Sequence, residues 1–238
     1  MRLSAFSRWA RLVRLPLLPT ALADSWAGFL IATLPGHPPA WPVLGALAAA
    51  SGGLYLGGMV LNDVADLERD KRIHPARPLP SGEIGKPLAL LLYLGLTGGG
   101  LAAACALGAL PASLALALTA AVMAYNLVLK SWRLPGCLAM GTCRGLNLAL
   151  GIAAGGAAAG FPISAPLILG AYVAGVTLVS TFEETNPGAA RWVGILLRGI
   201  IPLDAAMVAC HGRPLAALGI LALLPLALGL RRILPRHE

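Results

Sequence analysis

The run Asn62-Asp63-Val64-Ala65-Asp66-Leu67-Glu68-Arg69-Asp70 holds four of the ten carboxylate side chains in the chain and closes a long apolar stretch. At 100° per helical residue, Asn62, Asp63, Asp66 and Asp70 fall within an arc of roughly 100°, with Glu68 pointing the other way. Carboxylates gathered on one face repel one another, and a hard divalent cation is their usual neutraliser. Mg²⁺ takes one or two carboxylates and completes its shell with water and phosphate oxygens. The spacing therefore suggests a magnesium diphosphate site. The plain alternative is a solvated charged cap, but acids are disfavoured at a helix C-terminus, where the macrodipole is negative.

Bases follow the acids directly. Lys71, Arg72 and Arg77 precede Pro78 and Pro80, which stiffen the exit from the loop. Metal-binding acids beside phosphate-binding bases make one anion-processing surface, although bases in such a loop also serve as topology signals. A second polar segment, Ser180 to Gly188, carries Glu183 and Glu184. It reads equally as a second metal shell and as an ordinary helix end turning at Asn186-Pro187-Gly188. Within apolar stretches the ionisable and amide groups are few: Asp24, Arg144, Asn147, Arg198 and Asp204. Such residues are costly in lipid and face a cavity or a partner. Arg144 and Asn147 are three apart and share a helix face, which suits contact with a polar ligand. For Arg198, an ion pair with another helix is the expectation.

These groups need elements to hold them, and the composition says which. Of 238 residues, 58% are hydrophobic and 12% charged, with mean hydropathy +0.78, outside the range of soluble domains. Apolar stretches near 17–34, 41–62, 88–107, 111–129, 137–158, 163–182, 192–210 and 214–230 are each about long enough to cross a bilayer. The expected fold is an all-α polytopic membrane bundle of eight helices, with seven to nine allowed, forming one integral membrane domain over residues 1–238. The N-terminal arm, with Arg2, Arg8, Arg11 and Arg14 among apolar residues, reads as an interfacial lead-in that stays on the mature protein.

Fifteen of the 18 basic residues fall in the arm, in alternate loops and in the tail, and only Arg213 falls in the opposite loops. This distribution puts both termini and the acidic run on the cytoplasmic side of a prokaryotic-type inner membrane. It also accounts for the net charge of +8 without nucleic acid. Cys105, Cys137, Cys143 and Cys210 show no metal spacing and read as small filler; the scattered histidines give zinc little support. The glycine runs at Gly98-Gly99-Gly100 and Gly155-Gly156 lie in apolar stretches and read as close helix packing.

Asn62, Asp66 and Asp70 in N-x-x-x-D-x-x-x-D spacing, followed by Arg77-Pro78-Leu79-Pro80-Ser81-Gly82, then Tyr125 and Lys130, resemble the UbiA-type membrane prenyltransferase superfamily. The segments LAMGTCRGLNLALG, residues 138–151, and YVAGVTLVSTFEE, residues 172–184, are most similar to the branch encoded in Ebo-type clusters. The resemblance implies a helical bundle with a lateral opening to lipid, using Mg²⁺ and an isoprenyl diphosphate to prenylate a small acceptor. It implies that Asn62, Asp66 and Asp70 hold Mg²⁺, with Glu183 and Glu184 standing where the family has a second Asp-rich motif. Lys71, Arg72, Arg77 and Lys130 become phosphate partners and Tyr125 a substrate contact, to which the shared helix face of Arg144 and Asn147 adds two further substrate-binding candidates. The chain departs from the pattern by lacking Asp at the second motif, by four residues between Tyr125 and Lys130, and by a short length without a ninth helix. Two other readings are a related cyclase or lyase acting on the same diphosphate, and a non-catalytic transporter or lipid-binding membrane protein. Against transport, the polar residues concentrate at one membrane face.

The charge distribution makes a direct prediction. Reporter fusions at Glu238 and near His37 should report opposite sides of the membrane, and a common side would overturn both the helix count and the placement of the acidic run.

Overall fold

The computed structural model describes residues 5–33, 40–156, 161–183 and 185–234. A short amphipathic helix, α1 (Ala5–Leu12), leads through a 3₁₀ turn at Leu15–Leu17 into α2 (Leu18–Ala32). Then come α3 (Trp41–Ala65), the short α4 (Leu67–Ile73), α5 (Lys86–Ala106) and α6 (Ala109–Leu127). A second 3₁₀ turn at Leu129–Ser131 opens α7 (Arg133–Ala154), followed by α8 (Ser164–Ser180), α9 (Pro187–Cys210), α10 (Pro214–Leu221) and α11 (Leu223–Ile233). Among the described residues there are no strands.

Each of the eight apolar stretches carries helix. Seven segments are long and apolar enough to cross a membrane, α10 and α11 together making the last of them. The exception, α8, has 17 residues, about 26 Å of helix and the short end of what a bilayer accepts. Several starts are set by proline in the first turn, where its missing N–H costs nothing: α3, α5, α9 and α10 all begin this way.

Helices α2 and α7 lie together at the centre of the bundle, with α3, α6, α8 and α9 around them. Lipid offers no hydrophobic drive between helices, so cohesion comes from close van der Waals contact through small residues. Gly28 lies against the Leu148 carbonyl, and Gly151 against the Ser25 carbonyl and the Phe29 nitrogen. A β-carbon at either position would collide with backbone. Gly53 and Gly100 bring α3 and α5 together in the same way, whereas Gly98 and Gly99 face open space, so only part of that glycine run packs. Leu47, Leu148, Leu150, Ile152, Ile201 and Val208 fill the interior, while Leu91, Leu94, Leu116, Leu167 and Leu215 are turned outward.

A separate apolar cluster forms at the end of the bundle that carries the acidic run. Leu12, Val60, Leu67, Leu79 and Ile84 are buried there, with Trp9, Val13 and Val64 packed against them. The N-terminal arm is therefore fastened to α3, α4 and the loop beyond by side-chain burial. It does more than mark topology.

Because α2 and α7 touch backbone to backbone, Gly151→Val should destabilise the purified protein by about 2–3 kcal/mol, or roughly 5–10 °C in Tm. Gly98→Val, in open space, should leave the thermal melt unchanged.

Candidate active site at the acidic end of the bundle

The acidic run does not lie on one uninterrupted helix. α3 ends at Ala65, and Asp66, with φ −89° and ψ 1°, is the joint from which α4 starts. The four-residue stacking nevertheless persists, because Asp66 N donates to Asn62 O at 3.0 Å, Asp70 N to Asp66 O at 2.8 Å and His74 N to Asp70 O at 2.8 Å. The joint also removes the conflict with the helix dipole for the later acids of the run, while Asp63 stays in the last turn of α3. Glu68 and Asp70 occupy the first turn of α4, and Lys71 and Arg72 its last, each on the end that favours its charge.

Three carboxylates of the run are each met by a base from a different part of the chain. Lys130 Nζ, on the turn between α6 and α7, lies 2.7 Å from Asp66 Oδ1 and also donates to Asn62 Oδ1 at 3.4 Å. Arg77 Nη1 lies 2.6 Å from Asp70 Oδ2. Arg14 Nη2, from the N-terminal arm, lies 3.2 Å from Asp63 Oδ1. Asp63 and Asp70 are buried, and the bases keep part of their surface open. The loop holding Arg77 is braced by Ser81 N donating to Arg77 O, by Ile84 N donating to Pro78 O, and by the anchors Leu79 and Ile84. Its turn passes through Gly82 at φ 78°, a conformation that suits glycine. Tyr125 is half-buried near the end of α6, ahead of the turn that carries Lys130. Beside it, α6 and α7 enclose an open groove of about 300 Å³ lined by Ala121, Ala124, Leu129, Leu138, Ala139 and Thr142.

The other residues singled out from the sequence lie elsewhere. Leu67 and Asp70 face inward on α4, which turns Glu68 and Lys71 to its outer side. There Lys71 Nζ donates to Glu68 at 2.8 Å and holds that carboxyl below its ordinary pKa. Lys71 is thus committed away from the carboxylate cluster, and Arg72 is exposed on the outside of the same helix. Glu183 is exposed in the turn after α8, with no described contact to the acidic run; Glu184 lies outside the described residues. Asn126, buried beside Tyr125 with its amide directed at the Gly58 and Val122 carbonyls, carries no sequence signal that would have drawn attention to it.

Arg144 and Asn147 share a face as expected, but that face meets α2 in mid-span. Arg144 Nη2 donates to Asp24 Oδ1 at 2.8 Å and to Thr20 O at 2.9 Å, and Asn147 Nδ2 donates to Asp24 Oδ2 at 3.1 Å and to Ala21 O at 2.8 Å. The reason is electrostatic: a guanidinium at this depth needs an acid, and α2 supplies one directly opposite. Asp204 of α9 is wholly buried, and neither of its carboxyl oxygens has a hydrogen-bond partner among the described residues. Arg198 does not form the expected interhelical ion pair among the described residues; its Nε donates to Gly194 O on its own helix.

Asn62, Asp66 and Asp70 are hard oxygen donors of the kind Mg²⁺ prefers. Among the described residues no three His, Cys, Asp or Glu side chains converge as a ready-made metal cage. The donor set therefore fits a cation that takes one or two carboxylates and receives its remaining ligands from a bound phosphate.

The sequence model of the UbiA prenyltransferase family matches residues 17–184. The chain belongs to that family. Among relatives of known name, a digeranylgeranylglyceryl phosphate synthase of Metallosphaera sedula is 30% identical over 141 residues, covering 59% of this chain and 49% of the relative. One from Ignicoccus hospitalis is 41% identical over 100 residues, covering 41% of this chain and 33% of the relative. The chain thus spans half or less of the length of these relatives. The bundle also matches the structure of a UbiA homolog from Archaeoglobus fulgidus bound to GPP and Mg²⁺, with TM-score 0.65 and 19% identity over 95% of this chain and 85% of that one. The resemblance read from the acidic run and from the helical pattern is thereby established for the family and the fold.

Removing Asp24 would leave the Arg144 charge unpaired between helices. Asp24→Ala should destabilise the protein by about 3–5 kcal/mol, whereas Asp24→Leu combined with Arg144→Met should recover most of the loss, both read from thermal melts in detergent.

Proposed function

We propose that this UbiA-family protein transfers an isoprenyl group from a prenyl diphosphate to a small acceptor and releases diphosphate, with Mg²⁺ required. The observation that carries the reading is the array of acid–base pairs Asp66–Lys130 and Asp70–Arg77 at one end of an apolar bundle. Each pair matches one group that binds a divalent cation with one that binds phosphate. The binding of GPP and Mg²⁺ by a homolog of the same fold supports it.

On this reading Asn62, Asp66 and Asp70 hold Mg²⁺, which when bound supplies positive charge to the departing diphosphate. Lys130 and Arg77 turn from their carboxylates to phosphate oxygens, stabilising the charge that develops as the allylic C–O bond breaks and its electron pair leaves with diphosphate. The apolar groove between α6 and α7 takes the isoprenyl tail and keeps water from the cation. A lone pair on the acceptor then forms the new bond to the allylic carbon, and the acceptor loses a proton. The names of the curated relatives favour a hydroxyl of a phosphate-bearing glyceryl acceptor. The excess of basic residues at the acidic end supports a cytoplasmic position for the site and for both termini. Residues 138–151 and 172–184 favour the Ebo-type branch within the family. Glu183 and Glu184 serve, in this proposal, as further acids that approach the metal once substrate is bound.

Geranyl diphosphate supplied with Mg²⁺, with and without glycerol phosphate as acceptor, tests the reaction. Asp66→Asn and Asp70→Asn should each lower diphosphate release by about 10²-fold or more while the protein stays folded; near-normal turnover in both would refute the assignment. Because each acid already has a base, metal alone or diphosphate alone must leave one partner unpaired. Titration calorimetry should therefore show Mg²⁺ and inorganic diphosphate binding each other's complex more tightly than the free protein, by about tenfold or more. Independent binding would count against the exchange of partners.

A further inference from the structure

We infer that Arg14 is a phosphate ligand of this site, entering from the N-terminal arm beside Asp63; the inference rests on the transferase reading above. Arg14 follows α1 directly, and the arm that carries it is fixed, with Leu12 fully buried and Trp9 and Val13 packed on the cluster around Val60, Leu67 and Leu79. Its backbone has φ 50° and ψ 46°, and among the described residues it alone of the non-glycine residues has positive φ. Holding a residue with a β-carbon there costs about 1–2 kcal/mol. Such positions persist where the surroundings over-determine them, and they cluster at ligand sites.

The ion pair with Asp63 takes up only part of the guanidinium. Asp63 is buried, with 7% of its side chain exposed, while Arg14 keeps 35% of its surface open. A guanidinium carries five N–H donors in a planar fork, so Arg14 can keep one on Asp63 and present others to a phosphate. The ion pairs give the direction. Asp63, which Arg14 meets, adjoins Asn62, whose Oδ1 accepts from Lys130, so Arg14 and Lys130 reach neighbouring residues at the end of α3. Asp63 and Asn62 are adjacent and project about 100° apart around α3, so a phosphate held between Arg14 and Lys130 would be gripped from both sides. Two phosphates are available at such a site, that of the leaving diphosphate and that of a phosphate-bearing acceptor.

The test uses the full chain in detergent, with calorimetric titration of inorganic diphosphate plus Mg²⁺ in one arm and of glycerol phosphate in the other. Arg14→Asn suits the left-handed backbone and removes the guanidinium; Arg14→Gly is the second variant, free of backbone strain should the first fold poorly. Both should remain folded, with a lowered thermal melt that Asp63→Asn in the same chain restores, and lose tenfold or more in affinity for one probe. Loss for diphosphate assigns Arg14 to the leaving group, and loss for glycerol phosphate assigns it to the acceptor. In an Asp63→Asn background, removal of Arg14 should still weaken that probe, since the guanidinium contacts the phosphate itself. If Arg14 only neutralises Asp63, the double variant binds no worse than Asp63→Asn alone, and the inference is overturned. Unchanged affinity for both probes in the Arg14 variants overturns it as well while leaving the transferase reading in place. A wild-type protein that binds neither probe brings both down together.

Discussion

Carboxylates at the edge of a hydrocarbon layer are not left alone, and the pairing of Asp63, Asp66 and Asp70 organises one whole end of this bundle. Each base belongs to a different segment: Arg14 to the arm, Lys130 to the turn between α6 and α7, and Arg77 to the loop after α4. Neutralising one acidic run therefore draws three otherwise unrelated pieces of chain around the end of α3. The apolar anchors Leu12, Leu79 and Ile84 then hold two of those pieces in place when the charges are engaged elsewhere.

The same chemistry is used in mid-span to an opposite end. Asp24 and Arg144 are sealed between α2 and α7, with hydrogen bonds to Asn147 and to backbone carbonyls. Breaking such a pair costs about 3–5 kcal/mol because a charge is stranded in the interior, whereas a partly exposed pair contributes about 1 kcal/mol or less. The mid-span set is sealed on both partners and ties the central helices together, whereas at the end of the bundle Asp63 and Asp70 are buried and their bases keep part of their surface open. Close approach of α2 and α7 through Gly28 and Gly151 is what lets Arg144 reach its acid and keeps lipid and water out.

Much of the architecture is legible in one dimension. Each apolar stretch carries helix within a few residues of its expected bounds, the last of them split into α10 and α11, and the acidic run with its proline-stiffened tail marked the end where the candidate site lies. The stacking of Asn62, Asp66 and Asp70 was also legible, because a spacing of four survives even a break between two helices. The roles of single bases were not. Lys71 and Arg72 stand next to Asp70 in sequence yet lie on the outer side of α4, while Arg14, which reads as a topology signal, reaches the acidic run from 49 residues away.

Hydropathy, helix period and proline positions are local properties, so the sequence by itself determined where the apolar helices run and the face on which the acids stack, but not the break at Asp66 or the split between α10 and α11. Which acid meets which base depends on contacts across the bundle: Lys130 with Asn62 over 68 residues, and Arg144 with Asp24 over 120. Those contacts follow from the order in which helices pack and from how closely their small residues let them approach, quantities that no local pattern encodes. Tertiary structure alone therefore decided that Arg144 and Asn147 bind Asp24 between α2 and α7, and that Arg14 meets Asp63.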